Sequence, residues 1–151
     1  MKSNRKIALV TGGAKRIGQA ICKLLHESDI DLMIHYRHSA DEAKKLQENL
    51  NKIRKSSANI IQADLLDTSV LPNLVEETIK KYGRLDILIN NASSYYPTEI
   101  GKMNERNWND LIGSNLKAPL FLSQLAADEL IKTKGCIINI TDTHIDKPTL
   151  S

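Results

Sequence analysis

A short loop near the N-terminus carries the first residues with evident chemical potential, Thr11-Gly-Gly-Ala-Lys-Arg-Ile-Gly18. It joins an apolar, strand-like run to a helical pattern, and N–H groups at such a junction suit a pyrophosphate. Gly12 permits the turn, and Gly18 permits close packing of the helix. The spacing is Gly-x-x-x-Arg-x-Gly rather than Gly-x-Gly-x-x-Gly, so a plain turn stays an alternative.

A second group of polar residues ends the second predicted strand, in His35-Tyr-Arg-His-Ser39. NAD sites usually carry an acid about 20 residues past the glycines, where it binds the ribose 2′-hydroxyl. No acid stands at this tip. Arg37 and His38 offer positive charge, and Ser39 offers a hydroxyl and an N–H at the next helix start. These groups suit a 2′-phosphate and predict NADPH as the cofactor, with a solvated basic turn as the alternative.

Alternating strand and helix patterns position both groups. Strand-like runs cover Lys6–Thr11, Ile30–Tyr36, Ala58–Ala63, Leu85–Asn90 and Cys136–Thr141. Helical patterns cover the stretch from Ile17 to Leu25, then Ala40–Lys55, Ser69–Tyr82 and Asn107–Thr133. This alternation predicts parallel strands with helical crossovers, hence a doubly wound, Rossmann-like α/β sheet in three α/β/α layers. We expect one domain over residues 1–151.

Composition excludes several classes of protein. Hydrophobic residues make up 41% and charged residues 26%, as in ordinary globular domains. The net charge of +3 is mild and interspersed, which predicts no nucleic-acid partner. No stretch approaches the roughly 20 apolar residues that span a membrane, and no cleavage-type site follows the N-terminus, so we expect a cytoplasmic protein. Cys22 and Cys136 predict two buried free thiols and no metal site.

Several motifs resemble the short-chain dehydrogenase/reductase family over essentially the whole chain. The glycine loop resembles the family's Thr-Gly-x-x-x-Gly-x-Gly, with Arg16 in place of the middle glycine. Asn90-Asn-Ala-Ser93 resembles the family's Asn-Asn-Ala-Gly. Asp64 follows the third strand, and Asn115 lies in the long helix, where the resemblance implies a catalytic asparagine. The resemblance and the basic tip together assign the cofactor to Gly12, Lys15, Arg16, Ile17, Gly18, Tyr36, Arg37, His38, Ser39, Asp64, Leu65, Asn91 and Ala92.

The departures from the family pattern resemble the pteridine reductase branch. The segments that carry this resemblance are Ala14-Lys-Arg-Ile-Gly18, His35-Tyr-Arg-His-Ser-Ala40, Asn90-Asn-Ala-Ser-Ser-Tyr-Tyr-Pro-Thr98 and Ile140-Thr-Asp-Thr143. The resemblance implies that Asp142 replaces a catalytic serine, that Tyr95 packs on a pterin ring, and that Arg16 reaches both pyrophosphate and substrate. Ser93 could hydrogen-bond the edge of that ring. The implied activity is NADPH-dependent reduction of a dihydropterin or dihydrofolate.

Other interpretations of these residues stay open. Tyr95 could belong to a surface loop, Asn115 could satisfy backbone groups where a helix bulges, and Asp142 could be a cap or turn residue. The chain could also be a 3-oxoacyl carrier-protein reductase of the same family, or an inactive nucleotide-binding module.

The resemblance also predicts what the chain lacks. The family's Tyr-x-x-x-Lys dyad would come after Asp142 and beyond Ser151. We therefore expect an N-terminal, cofactor-binding portion that is inactive alone, from a protein that is a homotetramer when complete. Without a further strand, Cys136–Thr141 would form an apolar sheet edge and the long helix would lose cover. Such a chain is predicted to be marginally stable and poorly soluble.

Overall fold

The computed structural model describes residues 5–142. Its strands are β1 (Ile7–Val10), β2 (Asp31–Tyr36), β3 (Ala58–Gln62), β4 (Ile87–Asn90) and β5 (Cys136–Asn139). Its α-helices are α1 (Arg16–Glu27), α2 (Ala40–Ile53), α3 (Leu71–Tyr82), α4 (Glu105–Ile112) and α5 (Ala118–Thr133). A 3-10 turn, Thr68–Val70, precedes α3, and a π-helical segment, Gly113–Lys117, joins α4 to α5.

The strands form one parallel sheet in the order β3-β2-β1-β4-β5. The chain winds outward from β1 through β2 to β3, then crosses back to β4 and β5. That reversal opens a crevice at the carboxyl ends of β1 and β4, where doubly wound sheets bind their ligands. The fold class predicted from the sequence is confirmed.

Apolar layers cover both faces of the central strand, which explains why its sequence lacks polar alternation. All four residues of β1 are buried. Ile7 and Leu9 pack with residues of α3 and α5, while Ala8 and Val10 pack with residues of α1 and α2.

The long helix predicted over Asn107–Thr133 is interrupted, so that prediction is wrong in its continuity. The helical run begins at Glu105, where the Asn104 side chain accepts the N–H of Asn107 at 3.0 Å. Further along, the N–H of Ala118 donates to the carbonyl of Gly113, five residues back. Pro119 follows at once and has no N–H to continue an α-helical ladder, so the wider π turn absorbs the break.

The strand β5 forms an edge of the described sheet, as the sequence predicts. All four of its residues are exposed. Cys136 is therefore exposed while Cys22 is buried, and the expectation of two buried thiols is wrong for Cys136. Within residues 5–142, no helix is long and apolar enough to cross a membrane. The same residues contain no group of three or more metal-ligating side chains.

Candidate functional site at the carboxyl ends of the strands

Thr11 joins the end of β1 to the segment that follows β4. Its Oγ1 accepts the N–H groups of Asn91 at 2.9 Å and Ala92 at 3.0 Å, and donates to the carbonyl of Ile89 at 3.2 Å. The Asn91 side-chain amide donates in return to the carbonyls of Thr11 at 2.9 Å and Gly12 at 3.2 Å. The glycine loop and the asparagine motif thus meet at the predicted crevice.

His35 joins the same loop to the other side of the sheet. Its imidazole is 2% exposed, and its Nδ1 accepts the N–H of Gly12 at 3.1 Å. Its Nε2 lies 3.1 Å from the carbonyl of Ala63, just after β3, and its own carbonyl accepts the N–H of Gly13 at 2.9 Å. Burial lowers the pKa of His35 below its ordinary 6.5, against smaller opposing effects of the Ala63 carbonyl and the Asp64 carboxylate.

The two predicted loop glycines occupy positions that a side chain would obstruct. Gly12 has a φ of +61°, and a Cβ there would lie 3.0 Å from the Cα of Ala92. A Cβ on Gly18 would collide with the carbonyl of Gly12. The loop therefore allows the close backbone approach that a dinucleotide pyrophosphate requires.

Arg16 keeps the backbone conformation of the glycine that it replaces. Its φ is 50°, in the left-handed region, which costs a residue with a side chain roughly 1–2 kcal/mol. The residue is exposed at the start of α1. The loop thus has a positive φ, which favours glycine, at the position where the family pattern has glycine.

The basic tip of β2 is tied to the end of β3. The Arg37 guanidinium donates to the Asp64 carboxylate at 2.8 Å, and the Gln62 side chain donates to the carbonyl of Arg37 at 3.0 Å. His38 is exposed and Ser39 is half-buried at the start of α2, without a side-chain cap bond. Arg37 is therefore paired with Asp64, although both side chains are more than 40% exposed.

A second ion pair joins the glycine loop to α2. The Lys15 ammonium lies 2.7 Å from the Glu42 carboxylate, and both side chains are about half exposed. The hydrogen bond from Lys15 is the main cause that lowers the pKa of Glu42. Lys15 is therefore paired with a carboxylate, as Arg37 is.

The remaining predicted cofactor residues differ in exposure. Ile17 is 63% exposed, whereas Leu65 is 7% exposed and packs in the apolar cluster under α3 and α5. Tyr36 is half-buried, and its carbonyl accepts the N–H of Ala63 at 3.1 Å. Their contacts with a cofactor stay predictions.

Asn115 holds the loop that carries the predicted substrate residues. It lies in the π-helical segment, and its side-chain amide donates to the carbonyl of Ser94 at 2.8 Å. The Ser94 hydroxyl donates to Asp110 at 3.2 Å. The neighbouring Ser93 is exposed, and Tyr95 is 78% exposed. A backbone-satisfying role at a helix bulge thus matches the observed bond, and a catalytic role for Asn115 stays a prediction.

Asp142 lies just beyond β5 and is exposed. Ile140, two residues earlier, donates its N–H to the carbonyl of Asn90 at 2.9 Å, which keeps this stretch beside the end of β4. Asp142 therefore comes after the carboxyl end of a strand, as the candidate residues after β1, β2, β3 and β4 do. Thr143, the last residue of the quoted motif, lies outside the described residues.

Sequence reasoning missed the part played by His35, and it used Thr11 only as a motif match. His35 sits in an apolar run, where alternation suggests packing rather than hydrogen bonding. Its one available signal was position, since the last inward-facing residue of a parallel strand adjoins the ligand edge.

Comparison with known proteins agrees with this geometry. The family model described as short chain dehydrogenase matches residues 6–149. Pteridine reductase 1 of Leishmania tarentolae is 32% identical over 182 aligned positions, covering 95% of this chain and 63% of that protein.

Two further relatives widen the comparison. The 3-oxoacyl-acyl-carrier-protein reductase FabG of Staphylococcus aureus (strain Mu50) is 31% identical over 137 positions, covering 90% of this chain and 55% of the relative. An uncharacterized oxidoreductase of Thermotoga maritima is 33% identical over 140 positions, covering 92% and 54%. The chain thus spans roughly half to two thirds of the length of these relatives.

Proposed function

Since this chain belongs to the short-chain dehydrogenase/reductase family, we propose that it is the cofactor-binding portion of an NADPH-dependent pterin or dihydrofolate reductase. Members of the family use nicotinamide cofactors, and residues 1–151 would form the domain that holds one. The glycine loop, the Asn91 amide and the basic tip of β2 are the groups available to it.

Arg37 supports the choice of NADPH. It stands at the end of β2, where NAD sites usually carry an acid, and Asp64 holds it from the neighbouring strand end at 2.8 Å. A guanidinium in a fixed position suits a phosphate, because its planar N–H donors can bind two oxygens at once.

Tyr95 is the single observation that carries the substrate proposal. Its ring is 78% exposed, although a large aromatic side chain is usually at least partly buried. It lies three residues after Ala92, whose Cα closely approaches Gly12 of the glycine loop, which supports the proposal that the ring covers the nicotinamide end of the site. A flat pterin is the kind of ligand that such a ring can cover.

The proposed chemistry adds a hydride and a proton to a C=N bond. Bound NADPH would supply the hydride. Ser93 would bind the edge of the ring, Arg16 would contact substrate and pyrophosphate, and Tyr95 would orient the ring by stacking. Asp142 would relay the proton through water, while Asn115 would keep the substrate loop in place through Ser94.

Turnover by the full-length protein tests this function. We expect NADPH oxidation with dihydrobiopterin or dihydrofolate, and little with NADH. The matched variants are Tyr95→Phe, which keeps the stacking surface, and Tyr95→Ser, which removes it. A loss of turnover in Tyr95→Ser alone supports the proposal, whereas equal turnover in both variants contradicts the stacking role.

Reduction of a 3-oxoacyl thioester is the second candidate, because the Staphylococcus aureus reductase is nearly as similar as the pteridine reductase. Turnover of the thioester but not of either pterin would favour it. Binding of NADPH without any turnover would favour an inactive nucleotide-binding module.

The proposed setting is cytoplasmic and homotetrameric, with a small-molecule substrate and neither nucleic acid nor membrane as a partner. Light scattering of the full-length protein measures its oligomeric state. A stable monomer would contradict the proposed tetramer.

A further inference from the structure

His35 bonds the glycine loop through its backbone and its side chain, and its imidazole also contacts the end of the neighbouring strand β3. Because a carbonyl can only accept, the 3.1 Å contact with Ala63 requires the proton on Nε2. Nδ1 is then free to accept the N–H of Gly12 at 3.1 Å. The two bonds require one neutral tautomer, and burial favours that neutral form by lowering the pKa of His35.

These bonds decide which amides of the loop remain for a ligand. The N–H of Thr11 donates to Ile89 at 3.0 Å, that of Gly12 to the imidazole, and that of Gly13 to the His35 carbonyl at 2.9 Å. Three successive amides are therefore committed to the scaffold. A pyrophosphate must be met by amides further along, at the start of α1, and the loop must be held in place to present them.

The other end of the imidazole reaches the adenosine side. Ala63 accepts its proton and directly precedes Asp64, which holds Arg37 at 2.8 Å. A single buried ring thus lies between the loop proposed to bind the pyrophosphate and the strand end that holds the cation proposed to bind the 2′-phosphate.

We infer that His35 is a positioning residue that fixes the spacing between the pyrophosphate loop and the 2′-phosphate cation. It touches no cofactor atom itself. The inference rests on the proposed binding of NADPH, and it adds a residue to which the motif comparison assigns no role. The inference predicts that loss of the His35 bonds weakens the binding of ligands that span both phosphate sites at once.

Three variants of the full-length protein separate the two bonds. His35→Asn keeps an acceptor near the Nδ1 position for Gly12, and His35→Gln keeps a donor near the Nε2 position for Ala63. His35→Leu removes both. The probes are NADPH, which spans both sites, and adenosine 2′-monophosphate, which has no 5′-phosphate and occupies only the adenosine side. Calorimetry gives the dissociation constants, and circular dichroism confirms that each variant is folded.

We expect His35→Leu to weaken NADPH about tenfold, the effect of leaving one buried donor unpaired. Binding of the monophosphate should weaken by less than about threefold, because this probe does not span the two phosphate sites. His35→Asn should restore most of the NADPH affinity and His35→Gln less. If His35→Leu does not fold, the order of the Asn and Gln variants still decides.

Unchanged NADPH affinity in His35→Leu, an equal loss for both probes, or His35→Gln binding as well as His35→Asn would each overturn the inference. A wild-type protein that binds neither NADPH nor NADH would instead refute the proposed function. The two failures are therefore distinguishable.

Discussion

The two halves of the sheet differ in the residues at and near the carboxyl ends of their strands. On the side of β1, β2 and β3, polar groups from separate strand ends bond one another, as in the pair Arg37 and Asp64 and the pair Gly12 and His35. On the side of β5, Ile137 and Ile138 are 39% and 43% exposed.

The apolar exposure continues from β5 onto the neighbouring helices. In α4, the π-helical segment and α5, the large apolar side chains that are at least 39% exposed are Trp108, Leu116, Leu120, Phe121, Leu125 and Ile131. Among the described residues, the buried Oδ1 of Asn90, at the end of β4, has no hydrogen-bond partner. Large apolar side chains are also exposed on the other side, at Ile17, Leu24 and Ile53. Among residues 5–142, the side of β1, β2 and β3, which is proposed to bind the dinucleotide and is called the dinucleotide side below, thus has polar strand ends bonded to one another, whereas the β5 side has more exposed large apolar side chains and one polar atom without a partner.

This difference indicates which part of the proposed function the described residues support. Contacts on the dinucleotide side join neighbouring strand ends of one sheet, as in the pair Arg37 and Asp64. We expect substitutions there to cost both stability and cofactor binding. Substitutions on the exposed face of the β5 side should cost little by comparison.

Thr11→Val should have the largest effect on the dinucleotide side. It preserves shape but removes the oxygen that accepts the N–H groups of Asn91 and Ala92. Two unpaired amides should lower the free energy of unfolding by about 2–4 kcal/mol. Urea denaturation measures it, with Thr11→Ser as the control that keeps the oxygen. If Thr11→Val were as stable as Thr11→Ser, the bonds to the Thr11 hydroxyl would not stabilise this side of the sheet, and the comparison would be wrong.

Gly18→Ala should have the next largest effect. Its Cβ would displace the carbonyl of Gly12, at a cost of roughly 1–3 kcal/mol. Weaker NADPH binding should accompany that loss, as measured by calorimetry. Gly101→Ala is the matched control, because the space around Gly101 is open, although its φ of +83° still strains an alanine. Weaker NADPH binding in Gly101→Ala than in Gly18→Ala would contradict the prediction.

Acid should weaken the dinucleotide side through His35. Its pKa is lowered on folding, so the unfolded chain binds more protons than the folded one near pH 6. The stabilisation is fully present above the ordinary pKa of 6.5 and is lost as pH falls through that value toward the folded pKa. Burial also lowers the pKa of His26 at the opposite end of the sheet, so the wild type alone does not isolate His35.

Urea denaturation at about pH 7.5 and about pH 5.5 therefore compares the wild type with His35→Asn. We expect the variant to lose less stability than the wild type over this range. Equal losses would show that His35 is not responsible.

Leu120→Ala should have the smallest effect, because Leu120 on α5 is 59% exposed. We expect a change within about 0.5 kcal/mol in the free energy of unfolding. Leu122, two residues on and fully buried, is the matched control, and Leu122→Ala should cost about 2–5 kcal/mol. A large loss in Leu120→Ala would mean that another part of the protein or a second copy covers this face.

Local patterns predicted the sheet well and the long helix less well. The central strands are recognisable because they are buried on both faces, which leaves continuous apolar runs such as Ile7–Val10. The π-helical segment was not predictable, since it depends on the bond from Ala118 to Gly113 and on Gly113 packing closely against Leu66. Pro119 signalled a disturbance but not its form.

The sequence alone suggests the candidate site residues whose type and position favour one kind of ligand. Arg37 at a strand tip indicates a phosphate because nothing local neutralises it in the sequence. Its partner Asp64 lies 27 residues further along the chain, and no local pattern indicates that the two pair. The bonds of His35 reach 23 and 28 residues along the chain, so only the assembled sheet reveals them.

Cofactor preference tests the central claim most directly. Calorimetric dissociation constants for NADPH and NADH should be measured on the full-length protein and on Arg37→Met. We predict that the wild type binds NADPH at least about tenfold more tightly, the effect of one charge-assisted contact, and that Arg37→Met loses most of this preference. Equal or tighter binding of NADH by the wild type would contradict the account.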